Sequence, residues 1–95
     1  MWTTEREISW TSAFKRDFKW EKKKDRLLES VLDPVLSALA NDMSLADKYA
    51  DHALVGNWKD FRDCHIKPDL VLVYQKPDEE TLLLVRLGSH SELGI

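Results

Sequence analysis

Three histidines, His52, His65 and His90, all lie in the second half of this chain. Asp69 follows the middle one by four residues, and Arg86 precedes the last by four. Imidazole is the side chain that gains and loses a proton near neutral pH. With a carboxylate and a guanidinium beside it, the set meets the needs of phosphodiester chemistry. A base takes the proton from a ribose 2′-hydroxyl, and an acid returns one to the departing 5′-oxygen. A guanidinium offers paired donors to the phosphate as negative charge builds. RNA brings its own nucleophile, so the scheme needs no serine, cysteine, cofactor or metal. Taken singly, each residue also has an ordinary reading: a solvated histidine near a turn, a turn-forming aspartate after Pro68, a strand arginine in a surface ion pair. The histidines and Asp69 could instead ligate a metal, but none of them stand at the close spacing of zinc sites.

Whether these residues form one site depends on the elements that carry them. Thr3 to Trp10 mixes β-formers with charges and predicts a short strand. Thr11 or Ser12 suits the N-cap of an amphipathic helix over residues 12–24, with Ala13, Phe14, Phe18 and Lys22 on one face. Leu27, Leu28, Val31, Leu32, Val35, Leu36, Leu39 and Ala40 predict a second helix over residues 26–41. Pro34 either kinks it or opens a shorter piece behind an Asp33 cap, and a kinked helical hairpin is expected. Residues 42–57 read as loop, with His52 in it. The period then changes to two. Trp58 to Ile66 is a strand, Leu70 to Tyr74 a central strand apolar on both faces, and Thr81 to Leu87 the third strand of a meander. Gly88 to Ile95 reads as a tail. The fold class is α+β, a small two-layer arrangement: N-terminal strand, helical hairpin, then a three-stranded antiparallel meander with the helices packed on one sheet face. Arg86 is expected to point away from its neighbours Val85 and Leu87. The strand ends bring His65, Asp69, Arg86 and His90 to one end of the meander.

A chain of 95 residues, 43% hydrophobic and 33% charged, reads as one domain spanning residues 1–95. No apolar run approaches the roughly 20 residues that cross a bilayer, and the N-terminus lacks the order of a signal peptide. The single cysteine, Cys64, reads as a small core residue, and the four tryptophans (Trp2, Trp10, Trp20, Trp58) as packing groups. The expected location is the cytoplasm. Net charge is −3, yet the first 26 residues carry eight Lys/Arg against five acids. A polyanion would therefore be held through the first third of the chain.

The run Asp51-His52-Ala53-Leu54-Val55-Gly56-Asn57-Trp58-Lys59-Asp60-Phe61-Arg62-Asp63-Cys64-His65-Ile66-Lys67-Pro68-Asp69 resembles the core of the YafQ toxins of the RelE superfamily. So does Leu84-Val85-Arg86-Leu87-Gly88-Ser89-His90-Ser91-Glu92-Leu93. The resemblance implies a RelE-like fold and a bacterial toxin of a type II toxin–antitoxin pair, acting as a ribosome-dependent, metal-independent mRNA endonuclease. It assigns proton transfer and substrate placement to His52, His65, Asp69 and His90, and phosphate binding to Arg86. His90 is the leading general acid, with Asp69 or His65 as base. It also implies three kinds of partner: an antitoxin of the DinJ/RelB kind, the ribosome with its mRNA, and operator DNA through the antitoxin alone. No membrane partner is implied. Attraction to the ribosome would fall to Lys15, Arg16, Lys19, Lys22, Lys23, Lys24 and Arg26. Leu70 stands where YafQ has tryptophan, Gly94 where it has phenylalanine, and these toxins are commonly basic. Those departures carry the alternative reading, a weakened or inactive toxin fold that binds an antitoxin and regulates its operon.

Overall fold

The computed structural model describes residues 5–95. Strand β1 (Glu7–Trp10) leads into helix α1 (Ser12–Lys24) and helix α2 (Leu28–Ala40). After a 3-10 turn (Asp47–Tyr49) come β2 (His52–Ala53), a second 3-10 turn (Gly56–Trp58), β3 (Arg62–Lys67), β4 (Leu70–Gln75), β5 (Thr81–Gly88) and α3 (His90–Leu93). The five strands form one mixed sheet in the order β1-β5-β4-β3-β2, with β1 parallel to β5 and the other pairs antiparallel. The α+β class and the meander are as expected; the sheet gains β2 at one edge and β1 at the other.

Thr11 starts α1. Its hydroxyl oxygen accepts from the Phe14 N–H at 3.0 Å and its own proton goes to the Val85 carbonyl at 2.7 Å, so one side chain caps the helix and ties it to β5. Lys22, Lys23 and Lys24 fill the last turn, where cations meet the negative end of the helix dipole. Phe14 and, seven residues on, Glu21 take the buried positions. Lys22 instead stays exposed, lying over the Phe18 ring. In α2, Leu28, Leu32, Val35 and Leu39 are buried at helical spacing. The helix continues through Pro34, which is exposed, so the hairpin keeps one second helix and the shorter piece behind an Asp33 cap does not form. Leu27 and Val31 face outward.

The helices α1 and α2 seal one sheet face. Phe14, Leu28, Leu32, Val35 and Leu39 pack there with Cys64, Ile66, Leu70, Leu72, Tyr74, Leu82, Leu84 and Leu87. Each such leucine or phenylalanine contributes roughly 1.5–3 kcal/mol on burial. The alternate residues Val71 and Val73 point the other way and pack with Leu93 of α3, flanked by Leu54, Trp58, Phe61, Val85 and Ile95.

Several expectations need correction. The described part of the first strand is Glu7–Trp10, and Thr3 and Thr4 lie outside the described residues. Trp58 does not begin a strand: Gly56, at φ 65°, turns the chain so that Trp58 packs on Phe61 at 5.6 Å, and β3 starts at Arg62. Residues 88–95 are not a tail, because Ser89 and Glu92 form a reciprocal capping box that starts α3. Trp20 is 58% exposed, with Lys24 over its ring, rather than a packing group; Trp2 lies outside the described residues. Finally, Val73 pairs with Arg86 but Tyr74 with Leu84, so Val85 is the extra residue of a β-bulge. The bulge shifts the alternation: Val85 joins the Val71/Val73 side while Leu87 faces the helices, so the two neighbours of Arg86 do not share a side.

Candidate active site

The register gathers the site on the face that α1 and α2 leave uncovered. His52 pairs with Asp63, Asp63 with Val73, and Val73 with Arg86, making one row across β2, β3, β4 and β5. The next row is His65, Val71 and Gly88. Asp63 and His65 are two apart on β3 and so share a face. Gly88 lets the chain fold back into α3, since a β-carbon there would meet the Glu92 carboxylate at 3.2 Å and the Leu93 side chain at 3.3 Å. With Leu93 pinned on Val71 and Val73, the His90 ring stands edge-on to His65, centroids 4.9 Å apart.

Asp63 is the residue that sequence reasoning missed. It is 1% exposed, with the His52 Nδ1 atom 3.2 Å from its Oδ1. The Nδ1–H aims at the Ala50 carbonyl (2.7 Å), so Oδ1 has an electrostatic partner but no well-formed hydrogen bond. Burial raises the Asp63 carboxyl above the usual carboxylate range, against the pull of His52, His65 and His90 when these are charged. One buried carboxylate thus lies within electrostatic reach of all three histidines. The signal available in the sequence was its place two residues before His65 on a strand.

Arg86 sits in the same row, but its guanidinium turns to α1. Asp17 Oδ2 accepts from Arg86 Nε at 2.7 Å and from the Leu87 N–H at 3.0 Å, and Oδ1 accepts from Nη2 at 3.3 Å. These bonds hold the guanidinium still more firmly charged than an ordinary arginine. They take one edge of the fork and leave the Nη1 hydrogens uncommitted to Asp17.

Asp69 is exposed in the two-residue turn Pro68-Asp69 between β3 and β4, at the histidine end of the sheet. No hydrogen bond or ion pair among the described residues ties it to a histidine. Lys15, Arg16, Lys19, Lys22, Lys23, Lys24 and Arg26 are exposed on α1 and the turn after it. Lys22 pairs with Glu29 and Lys24 with Glu21, while the Glu92 carboxyl of α3 is held low by its hydrogen bonds with Ser89 and, to a lesser degree, by Lys24. The basic helix end therefore borders the element that carries His90. Cys64 faces the helix-side core, where burial pushes its thiol up to about 12, and it is no nucleophile here. A groove of about 770 Å³ flanks β3, lined by Val31, Pro34, Tyr49, His65 and Lys67 among others. Among the described residues no group of three or more His, Cys, Asp or Glu side chains is placed to hold a metal ion. No described helix is long and apolar enough to cross a membrane.

A small mixed sheet with a histidine cluster on its open face and a basic helix beside it defines the class, a small α+β fold with a face suited to proton transfer. The family model described as "Bacterial toxin of type II toxin-antitoxin system, YafQ" matches residues 6–94, and the chain belongs to that family. It is 30% identical to the mRNA interferase toxin YafQ of Escherichia coli K12, over 94% of this chain and 96% of that protein. Among solved structures, a copper-bound mutant toxin from Helicobacter pylori superposes with a TM-score of 0.87 at 43% identity, covering 94% of this chain and 98% of the other. YafQ in the E. coli DinJ–YafQ complex superposes with a TM-score of 0.82 at 31% identity, with the same coverages.

Proposed function

We infer that this YafQ-family toxin is an mRNA interferase, an endoribonuclease, and we propose that it cuts message on the translating ribosome by attack of the 2′-hydroxyl on the adjacent phosphate. The observation that carries the reading is the grouping of His52, His65 and His90 around Asp63 on the uncovered sheet face. Histidines in that setting supply the base and the acid of internal transfer. His90, on α3, is assigned as the acid that protonates the leaving 5′-oxygen, with the base among His52 and His65. Asp69, at the exposed hairpin tip, is assigned to substrate placement. The Nη1 side of Arg86 takes the phosphate while Asp17 holds the other edge. The exposed Lys15, Arg16, Lys19, Lys22, Lys23, Lys24 and Arg26 supply attraction to ribosomal RNA. No step calls for a metal.

The E. coli complex of YafQ with DinJ supports a cognate antitoxin of the DinJ/RelB kind as the neutralising partner. Operator DNA is then reached only through that antitoxin, and no membrane is involved. The chain works as one domain in the bacterial cytoplasm.

The test is 5′-end mapping of messages after expression of the toxin without antitoxin. Cuts should appear on translated messages, persist in chelator on isolated ribosomes, and be scarce on naked RNA. His90→Ala should lower cleavage by about 10²-fold or more and relieve growth arrest. Intact messages with the wild-type chain would refute the enzyme. A second reading, a toxin fold kept for antitoxin binding alone, draws on Leu70. This residue stands where YafQ has tryptophan and is 5% exposed, packed in the helix-side core. Gly94 likewise serves structure, ending α3 in the left-handed region at φ 72°. Under that reading the wild type and a His52/His65/His90 triple alanine variant are equally harmless.

A further inference from the structure

The segment that carries His52 is tied down by hydrogen bonds that no proton-transfer step uses. The 3-10 turn Asp47–Tyr49 ends at Ala50, whose N–H donates to the Asp47 carbonyl at 3.0 Å. Ala50 is left-handed, at φ 48° and ψ 44°, a region that alanine avoids unless its surroundings enforce it. Besides Ala50, only Asp42 among the described non-glycine residues has positive φ. The restraint sits on the next residue. The Tyr74 hydroxyl, at the end of a side chain buried in β4, donates to Asp51 Oδ1 at 2.6 Å, and Arg62 Nε reaches the same oxygen at 3.3 Å. Turned this way, the Ala50 carbonyl meets His52 Nδ1 at 2.7 Å. A carbonyl only accepts, so the proton belongs on Nδ1 and the lone pair of the neutral ring on Nε2. Asp63 Oδ1, 3.2 Å from the same Nδ1, favours the same tautomer. The ring is half exposed.

We propose that Tyr74 and Asp51 are positioning residues for His52. By holding Ala50 left-handed they aim its carbonyl at Nδ1, fix the Nδ1–H tautomer, and present Nε2 as the basic atom toward RNA. The catalytic half rests on the reading of His52 as a proton-transfer residue; the tautomer does not.

Tyr74→Phe removes the hydroxyl and keeps the ring in the core. Nitrogen-15 spectra of the neutral His52 ring should show the Nδ1–H form alone in the wild type and a mixture in Tyr74→Phe. The sheet amide resonances should stay in place. Cleavage on ribosomes should fall about tenfold in kcat, the equivalent of one hydrogen bond, with KM unchanged. Asp51→Asn keeps an oxygen for Tyr74 and should restore the wild-type tautomer, whereas Asp51→Ala should not. If Tyr74→Phe fails to fold, Asp51→Ala carries the same measurement from the partly exposed side. An intact Nδ1–H form in Tyr74→Phe and Asp51→Ala overturns the proposal. A mixed tautomer with undiminished kcat would leave the positioning in place and remove His52 from proton transfer, so the two failures read differently.

Discussion

Along β3 and β4 the side chains divide strictly between two environments. Cys64, Ile66, Leu70, Leu72 and Tyr74 enter the core under α1 and α2. Asp63, His65, Val71 and Val73 turn to the other face, where the apolar cover is thin and comes from Leu93 with a few partly buried neighbours. The strand period of two lets a single stretch of chain present an apolar side to the core and the candidate site on the other. Substitutions on the helix side should therefore register in unfolding and those on the open side in turnover, with the Tyr74 hydroxyl as the exception because it reaches Asp51 ahead of His52, and experiments can break or sharpen that contrast.

The largest effect expected is from Leu72→Ala. Leu72 is fully buried on β4, and the cavity it leaves should lower unfolding free energy by about 2–5 kcal/mol. Denaturant titration measures the loss. In whatever fraction remains folded, the histidine face should be intact, so activity per folded molecule should hold. A matched loss of specific activity would show that the faces are coupled through the sheet.

Asp63→Asn should move the two properties in opposite directions. Burial raises the folded-state pKa of Asp63 above its unfolded value. Between those two values the native state binds more protons than the unfolded chain, so this residue's contribution to stability falls as pH rises through the window. At neutral pH the ionised carboxylate is therefore a net cost. The substituted amide, uncharged at every pH, should erase that acid-side dependence and leave stability at neutral pH equal or higher. Turnover should fall by about tenfold or more, since the carboxylate no longer stabilises a neighbouring imidazolium. Unfolding curves and cleavage rates recorded over the same pH series decide it. A variant less stable than wild type at neutral pH would mean that the pull of the histidines outweighs burial.

The helix-side face was the more legible in the sequence. Its apolar residues recur at 3.6 and at two, and β4, buried from Leu70 to Tyr74, takes the central place that this pattern implies. The open face was legible in its residue types but not in its assembly. His52, His65 and His90 stand out by chemistry, whereas Asp63 looks like any polar strand residue until it is seen buried between them. The α3 signal was present as Ser89 and Glu92, three apart ahead of an apolar residue. The bulge at Val85 and the Asp17–Arg86 pair were not readable. The first depends on the register with β4, and the second joins residues 69 apart along the chain.

The smallest effect tests where strain is stored. Ala50 and Ala53 flank His52, both exposed, but only Ala50 has positive φ. Glycine tolerates the left-handed region without the β-carbon clash, although it adds freedom to the unfolded chain. Ala50→Gly should therefore raise unfolding free energy by about 0.5 kcal/mol. Ala53→Gly, in the short strand β2, should lower it by about 0.5–1 kcal/mol. Paired denaturant titrations of the two variants resolve the opposite signs, since a shared reference cancels most of the extrapolation error. Equal losses at both positions would mean that the Ala50 turn costs the fold nothing. The strain that aims its carbonyl at His52 would then be absent.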